Sequence, residues 1–307
     1  DHDTQILKEA DWLIEMGPGA GAEGGYVIAE GTPAALSQNP QSQIGPFLSG
    51  SSAPSRKRAA SDELFAQGSI RLSTGPIHTV SPLDVSLPKG RLTVVTGVSG
   101  SGKTTLILES LVPGLEAAIC GKKLPAHVRS VEACGIGKVK LIDATPIGIN
   151  IRSTVATYAN VHDELRKVFA RTADAKAHGF KAGDFSYNTG RLRCPVCDGT
   201  GSISLDVQFL PDVEISCPAC YGSRYAKEAS QIRYKNREGA DYSLPELMAM
   251  DVSTACRTCG PLKLVHQRLQ TLQDLGLGYL TLGEDTPSLS GGEAQRLKLA
   301  GEMGRAQ

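Results

Sequence analysis

The sequence predicts an α/β fold, and three local patterns support that prediction. An apolar, β-branched run at 92–96 precedes a glycine loop and the helical opening at 105–108, which is the order of a phosphate-binding site. Further along, two Cys-x-x-Cys pairs predict a metal-bound hairpin. A Ser-Gly-Gly-Glu segment starting at residue 290 predicts a helix start.

The composition narrows the class of protein. The 307 residues are enough for two or three domains. Because 32 basic residues balance 32 acidic ones, any nucleic-acid contact must come from a local patch. We find no apolar run of transmembrane length and no signal peptide, and the cysteine pairs suit a reducing cytosol. We therefore expect a cytoplasmic protein, and the first residue, Asp1, leads us to expect a fragment of a longer chain.

The glycine loop matches GxxxxGK[ST] at every position. Its backbone N–H groups can surround a phosphate, and the helix that follows adds its positive end. We expect Lys103 to reach the β- and γ-phosphates and the Thr104 hydroxyl to bind Mg²⁺. An ordinary glycine turn is the alternative, which the complete match and correct flanks disfavour. The predicted nucleotide-binding residues are Gly97, Val98, Ser99, Gly100, Ser101, Gly102, Lys103, Thr104 and Thr105.

The two cysteine pairs lie 19 residues apart and each is followed closely by glycine. Such paired turns are typical of a closed, structural zinc site, with a hairpin at 202–215 between them. Free or disulfide-bonded cysteines are the alternative. A third pair, Cys256 and Cys259, has no partner of matching spacing, and Cys120 and Cys134 do not supply one. We expect these four to be reduced thiols, with a second zinc site as the alternative. The predicted zinc ligands are Cys194, Cys197, Cys217 and Cys220.

Basic and aromatic side chains are interleaved around the predicted hairpin. They fit phosphate contacts with some base stacking, although a merely soluble basic surface explains the composition equally well. The candidate DNA-binding residues are Lys181, Arg191, Arg193, Arg224, Tyr225 and Lys227.

Hydrophobic periodicity predicts further elements. It predicts helices at 4–16 and 262–275, the second with a leucine-rich core face. It also predicts strands at 26–29 and 139–143, and a small β subdomain within 69–96.

The segment LSGGEAQR at 289–296 completes the argument. Ser290 and Glu293 form a predicted capping box, and the glycines between them let the helix start approach an anion. Beside a phosphate loop, this segment resembles the signature of ABC ATPases. The long gap from the loop and the cysteine module within it make the chain similar to the UvrA family, the damage sensors of the bacterial ABC excinuclease. Matching stretches cover nearly the whole chain and include ADWLIEMGPGAGAEGG, VTGVSGSGKTTL, CPVCDGTG, FLPDVEISCPAC and LQTLQDLGLGYLTLGEDTPSLSGGEAQRLKLA.

The resemblance implies a partial ABC-type P-loop ATPase core with an inserted, mainly helical signature domain that carries a four-cysteine zinc hairpin. It also implies domain boundaries. These are the end of a first ABC module at 1–50, a flexible linker at 51–68, an ATP-binding domain at 69–150, and a signature domain at 151–307 with a zinc module at about 186–232 and the signature at 289–296.

The same resemblance assigns roles to residues. His2 matches the switch histidine of the first module and Lys103 the Walker A lysine, which makes both catalytic. The implied cofactors are ATP, Mg²⁺ and one structural Zn²⁺. The implied partners are double-stranded DNA, a second copy of the protein and UvrB, with no membrane. The nucleotide-binding signature residues are Ser290, Gly291, Gly292 and Glu293.

The implied function is ATP-dependent damage recognition in nucleotide excision repair. Two departures, Ala144 in place of the Q-loop glutamine and RSTVATY at 152–158, suggest a paralogous branch. The alternative function is therefore that of UvrA-like proteins linked to drug resistance in antibiotic producers. CPVCDGTG also resembles a DnaJ-type repeat, a family that lacks the ATPase motifs. Since no Walker B-like strand follows Arg296, we expect weak or no ATP hydrolysis by the 307-residue chain.

Overall fold

The computed structural model describes residues 3–19, 21, 24–52, 63–143, 145, 147, 152–205, 213–235 and 239–303. The chain forms two compact units, one of residues 1–52 with 142–307 and one of residues 53–141. The phosphate loop belongs to the second, smaller unit, and the cysteine pairs and the signature belong to the first. The four-part domain division expected from the sequence stays a prediction.

The predicted helix at 4–16 is wrong, because two elements share that stretch. Helix α1 at Thr4–Lys8 is capped by Asp3, which accepts from the Gln5 N–H at 2.9 Å. Strand β1 at Leu13–Gly17 then alternates between buried and exposed residues. It pairs antiparallel with β2 at Tyr26–Gly31, which confirms the strand predicted at 26–29. Leu13 and Ile14 fit either period, and pairing with β2 decides the outcome.

Glu15 on β1 is buried and connects residues 42–44 to the strand by hydrogen bonds. Its carboxylate accepts from the Ser42 hydroxyl at 2.6 Å and from the Gln43 and Ile44 N–H groups at 2.8 and 3.0 Å. These bonds compensate the cost of burying the charge. Two short helices follow β2, namely α2 at Pro33–Gln38 and α3 at Gly45–Leu48.

The smaller unit contains the predicted β subdomain. Its elements are β3 at Ser69–Thr74, β4 at Leu83–Pro88, a π-helix at Thr105–Leu111, α4 at Val112–Ile119 and β5 at Val128–Glu132. The three strands form an antiparallel sheet in the order β4-β3-β5. Leu72 on the central strand pairs with Val85 on one side and Val131 on the other, and it is buried.

The strand predictions for 92–96 and 139–143 are also wrong. The structure describes both runs as irregular chain, and Leu92 and Val94 are 74% and 75% exposed. A strand persists when a neighbour pairs with its backbone groups. Since no described strand pairs with either run, their apolar pattern alone does not make them strands.

The rest of the larger unit is mainly helical and has one hydrophobic core. The helices that share this core are α5 at Val155–Tyr158, α6 at Val161–Phe169, α7 at Ala173–Ala177, α8 at Leu244–Met248, α9 at Val252–Thr258, α10 at Lys263–Asp274 and α11 at Gly291–Met303. The predicted helix at 262–275 is confirmed as α10, with Val265, Leu269 and Leu272 buried.

Two hairpins complete this unit. Strands β6 at Ser202–Leu205 and β7 at Val213–Ser216 pair antiparallel, which confirms the predicted hairpin. Residues 206–212, between the two strands, lie outside the described residues. Strands β8 at Arg233–Lys235 and β9 at Asp241–Ser243 form the second hairpin. None of the helices described here is long and apolar enough to span a membrane.

Candidate functional site

The phosphate loop has a backbone that suits glycine. Gly102 has a φ of +90°, a conformation that side chains disfavour. A Cβ atom there would also lie 2.6 Å from Val80 Cγ2, closer than two carbon atoms can approach. Both the conformation and the packing therefore require glycine at this position.

Lys103 lies across the loop. Its Nζ donates to the carbonyl oxygens of Gly97 and Val98, both at 2.7 Å. The ammonium is thus held against the backbone of the loop, where it would also contact a bound phosphate. The predicted helix after the loop is confirmed in a modified form, because its first turns are a π-helix before α4 begins. Such turns occur often at functional sites.

A carboxylate next to the loop was not predicted from the sequence. Glu109 accepts from the Thr105 hydroxyl at 3.1 Å and lies 2.8 Å from His78 Nε2. The hydrogen bond with His78 lowers the pKa of Glu109. His78 precedes Glu109 by 31 residues and no motif links the two, so no local pattern indicates the pair. Together they orient Thr105, one of the predicted nucleotide-binding residues.

The four predicted zinc ligands meet at one point. Cys194 and Cys217 have sulfur atoms 3.9 Å apart, those of Cys197 and Cys220 are 3.6 Å apart, and all four lie within 4.8 Å of one another. Four sulfur atoms around a zinc ion at about 2.3 Å would be about 3.8 Å apart. All four side chains are buried. The donor set and its spacing therefore fit one tetrahedral metal ion.

Burial acts to raise the pKa of Cys217 and of Cys220, backbone N–H groups act to lower it, and the balance differs between the two. Burial acts to raise the pKa of Cys217, but N–H groups of Cys220 and Ala219 outweigh it and lower the pKa to about 7. Burial dominates at Cys220 and raises its pKa to about 12. The Gly201 N–H also donates to Cys197 Sγ at 3.3 Å. Such N–H···S bonds are a common feature of thiolate sites.

Each Cys-x-x-Cys turn ends in two residues with positive φ. In the first turn these are Asp198 at +51° and Gly199 at +79°, and in the second they are Tyr221 at +50° and Gly222 at +84°. A Cβ atom on Gly199 would lie 1.7 Å from the Tyr187 carbonyl oxygen. The repeated conformation explains why glycine follows both pairs in the sequence.

A buried arginine joins the cysteine turns to the segment that precedes the signature. Arg224 forms an ion pair with Asp285, donates to the Gly199 carbonyl at 3.2 Å and lies over the Tyr187 ring at 5.2 Å. Its side chain is 5% exposed. Arg152, which lies shortly before α5, also contacts the first cysteine turn, since it donates to the Asp198 carbonyl and carboxylate at 2.8 and 3.0 Å.

The signature segment starts helix α11 as predicted. The Ser290 N–H donates to Glu293 Oε2 at 2.7 Å, and the Glu293 N–H donates to Ser290 Oγ at 3.4 Å, which is the expected capping box. Gly291 and Gly292 are exposed at the helix start. The Tyr279 hydroxyl donates to the other oxygen of Glu293, a contact that the sequence did not reveal.

Further along α11, Lys298 bonds to Asp143 and Thr145. Its Nζ donates to the Asp143 carboxylate and carbonyl and to both oxygens of Thr145. The hydrogen bond from Lys298, followed by that from Thr145, lowers the pKa of Asp143 to about 2.

Two of the candidate DNA-binding residues are buried, which revises that prediction. Tyr225 is 2% exposed, and its hydroxyl bonds to His162 and the Phe185 carbonyl. The buried Arg224 guanidinium forms an ion pair with the Asp285 carboxylate. Phe185 and Tyr187 are buried as well, so several aromatic residues of this stretch build the core. The surface is therefore limited to the four remaining cations, Lys181, Arg191, Arg193 and Lys227.

Two of these four cations are engaged in local contacts. The Arg191 side chain is 63% exposed but forms an ion pair with Asp184 at 2.7 Å. Arg193 is half-buried and lies 3.1 Å from the Asp198 carboxylate. Lys181 and Lys227 are exposed.

Some predicted features lie outside the described residues. These are His2, Ala144 and most of the linker. Cys256 and Cys259 are buried in the helical core. They do not belong to any metal-binding group found among the described residues, and their interpretation as reduced thiols stays a prediction.

The fold and the site together define a class. The chain has part of an ABC-type P-loop ATPase core and an inserted, mainly helical domain with a four-cysteine hairpin. The crystal structure of UvrA2 from Deinococcus radiodurans has a TM-score of 0.85 to this chain at 37% sequence identity. The match covers 100% of this chain and 36% of that one.

The sequence comparisons identify the family. UvrABC system protein A of Lactococcus lactis subsp. lactis (strain IL1403) is 40% identical, and that of Mycobacterium leprae (strain TN) is 39% identical, each over 99% of this chain. No protein-family profile matches the chain. The chain covers 32% and 31% of these two relatives, so it spans about a third of their length. It belongs to the UvrABC system protein A family.

Proposed function

We propose that this chain acts in nucleotide excision repair as an ATP-binding protein that recognises distorted duplex DNA. The observation that carries the proposal is the similarity to UvrABC system protein A over 99% of the chain. This similarity includes the phosphate loop, the four-cysteine cluster and the signature. The names of the relatives favour repair, and no observation favours the alternative of drug resistance.

The phosphate loop is the proposed ATP site. The Lys103 ammonium would exchange its bonds to the Gly97 and Val98 carbonyls for bonds to the β- and γ-phosphates. Thr104 follows the lysine and is exposed, so its hydroxyl can hold Mg²⁺. Bound Mg²⁺ supplies a positive charge that neutralises the phosphates.

The signature segment of this chain would serve a different nucleotide. We propose that Ser290 to Glu293 contact ATP held by an opposing module, with His2 contributing to that second site. The opposing module would be the first ABC module, and a homodimer of the full-length protein is a further part of the proposal. The capping box leaves the start of α11 exposed for such a contact.

The cysteine cluster is the proposed zinc site. Cys194, Cys197, Cys217 and Cys220 would hold one ion, and bound zinc supplies a crosslink that fixes the hairpin. The short strands β6 and β7 cannot bury a core by themselves, so a structural ion explains how they stay folded.

DNA would be recognised through its deformability and its phosphates, without base-edge contacts. Lys181, Arg191, Arg193 and Lys227 provide the local positive charge that a neutral chain needs. UvrB as a partner, weak or absent ATP hydrolysis by this chain, and a cytoplasmic location are further parts of the proposal.

The test is DNA binding by the 307-residue chain, measured by fluorescence anisotropy. A duplex with one bulky lesion is compared with the intact duplex, with and without Mg-ATP, at salt concentrations from about 50 to about 200 mM. We expect tighter binding to the damaged duplex and a steep fall with salt. When Lys181 and Lys227 are replaced with alanine, the slope of the logarithm of the binding constant against the logarithm of the salt concentration should become shallower by about two.

Lys263→Ala is the matched control, because Lys263 is exposed on α10 but lies outside the proposed surface. It should leave binding unchanged. Equal affinity for the two duplexes under all nucleotide conditions would contradict damage recognition by this chain.

A further inference from the structure

An open cavity of about 490 Å³ lies on the larger unit, where the end of α6 and the start of α7 meet strand β8. Its volume is in the range of small-molecule binding sites. Among the described residues that line it are none of the four cations of the proposed DNA-binding surface and none of the clustered cysteines. The cavity therefore shares no residue with either of those proposed sites.

Three apolar side chains line the cavity, and one of them is an aromatic ring held in place by others. The Tyr234 ring packs against the rings of Phe169 and Tyr242, with centroids 6.4 and 5.3 Å away. Val168 and Leu262 also line the cavity, and both are half-buried. Flat rings pack well against aromatic and aliphatic side chains. The apolar part of the cavity therefore favours a ligand with an aromatic ring.

Arg233 also lines the cavity, but neighbouring carboxylates compensate its charge. Its guanidinium donates to Asp241 Oδ1 at 2.7 Å, to the Asp241 carbonyl at 2.8 Å and to Glu246 Oε1 at 2.9 Å. The Arg233 N–H donates to Asp174 Oδ2 at 3.0 Å, which connects β8 to α7. Arg233 is therefore a fixed structural part of the cavity.

Two other cations of the cavity are open to a ligand. Arg171 is exposed and forms no ion pair among the described residues. The Lys235 side chain is 67% exposed, and its Nζ lies 4.0 Å from the Asp241 carboxylate, which Arg233 already binds. Such an exposed ion pair is weak. A negatively charged ligand can therefore recruit both Arg171 and Lys235.

The charges around the cavity limit the ligand to a small anion. Arg171, Arg233 and Lys235 are balanced by Asp174, Asp241 and Glu246, so the region as a whole is neutral. A polyanion such as a DNA backbone requires an excess of positive charge. A single carboxylate needs only a local donor, and a guanidinium can bind it with two parallel hydrogen bonds.

We propose that this cavity binds a small aromatic carboxylate. Its ring would pack against Tyr234, Val168 and Leu262, and its carboxylate would bind the Arg171 guanidinium with Lys235 as a second cation. The apolar contacts supply most of the affinity, while the cations orient the ligand and select the anion. The proposal does not depend on nucleotide or DNA binding by the chain.

The test is isothermal titration of the 307-residue chain with 2-naphthoate, a flat two-ring carboxylate. We expect one site with a dissociation constant of about 0.1 mM, which is reasonable for a ligand of this size. 2-Naphthamide has the same rings without the charge, and octanoate has the charge without the rings. Each should bind at least about fivefold more weakly than 2-naphthoate.

Substitutions locate the binding. Arg171→Gln and Lys235→Gln each remove one exposed charge and should weaken 2-naphthoate by about three- to tenfold. Both should leave the affinity for 2-naphthamide within about twofold, because that ligand has no charge. Tyr234→Leu, with its fold checked by urea unfolding, should weaken both ligands by about threefold or more, because the ring contact is common to them.

Lys263→Gln is the matched control. Lys263 directly follows Leu262 and is exposed, but it does not line the cavity, so this variant should bind 2-naphthoate like the wild type. An intact DNA duplex should change the 2-naphthoate affinity by less than about twofold. Displacement of the ligand by the duplex would overturn the proposal and assign the cavity to the DNA-binding surface. No binding up to about 5 mM, or binding unaffected by both charge substitutions, would overturn it as well.

Discussion

Gly199 occupies a backbone position that only glycine fits. Its φ of +79° is one reason, and the Tyr187 carbonyl oxygen 1.7 Å from the position of an added Cβ is the other. Gly222 has the equivalent position in the second cysteine turn, with a φ of +84° and nothing within 4 Å of an added Cβ. Substitutions at both positions would cause conformational strain, but only a substitution of Gly199 would also cause a steric clash.

This pair gives a matched prediction at the scale of the residue. We expect Gly222→Ala to lower the free energy of unfolding by about 1 kcal/mol through φ strain alone. Gly199→Ala should cost more than about 3 kcal/mol, because the Tyr187 backbone must also move. Urea unfolding with zinc present measures both, and equal losses would show that the close approach to Tyr187 has no energetic weight.

His162 is buried and uncharged in the folded chain. Burial is the main cause that lowers its pKa to about 3, with the Arg166 charge acting in the same direction. The Tyr225 hydroxyl donates to the Phe185 carbonyl at 3.0 Å, so the hydroxyl oxygen is left to accept from His162 Nε2, 2.7 Å away. This arrangement requires a proton on Nε2, and the lowered pKa leaves Nδ1 without one.

The low pKa of His162 predicts a loss of stability in acid. In the unfolded chain His162 has a pKa of about 6.5, so below that pH it binds a proton that it does not bind in the folded chain. The free energy of unfolding therefore falls by up to about 1.4 kcal/mol per pH unit as the pH decreases toward the folded pKa. In His162→Phe this contribution should vanish, while Tyr225 keeps its bond to Phe185. Unfolding curves between about pH 7 and about pH 4 measure the difference, and parallel pH profiles would refute the assignment.

At the scale of the element, the cysteine hairpin shows what a motif can predict. The pair spacing predicted the cluster and the hairpin, because two cysteine pairs at this spacing are typical of one metal-bound hairpin. The capping box and the apolar face of α10 were predictable for a similar reason, since each depends on residues three or four positions apart.

The predictions that failed depended on distant partners. The run at 92–96 has the composition of a strand, but a strand also needs a neighbour, which no local pattern specifies. Leu13 and Ile14 fit a helix until β2 pairs with β1. Tyr225 looked like a surface aromatic, whereas His162 and Phe185 enclose it from 63 and 40 residues away.

Removal of zinc gives the prediction for this element. We expect the purified chain to hold one zinc ion. A strong chelator should raise the amide exchange rates of β6 and β7 by at least tenfold, which corresponds to a loss of about 1.4 kcal/mol in the free energy of opening the hairpin. Helix α10 lies in the hydrophobic core and should change little. Cys217→Ser should reproduce the effect without chelator. Unchanged exchange in the hairpin would mean that metal does not stabilise it.

At the scale of the whole molecule, the two units divide the proposed functions. The smaller unit carries the proposed ATP site, and the larger one carries the signature segment, the cysteine cluster and the proposed DNA-binding surface. This division was only partly predictable. The sequence located each motif, but it did not show that residues 1–52 group with residues 142–307, because such grouping depends on contacts between segments far apart in the chain.

The central claim is that Lys103 and its loop bind ATP, and direct titration tests it. Isothermal titration of the 307-residue chain with Mg-ATPγS should show binding that Lys103→Ala weakens by about 10- to 100-fold, the range expected for a charge-assisted hydrogen bond. Lys122→Ala, which removes an exposed cation after α4, should bind like the wild type. Equal affinity in the wild type and Lys103→Ala, or no binding by either, would contradict the claim.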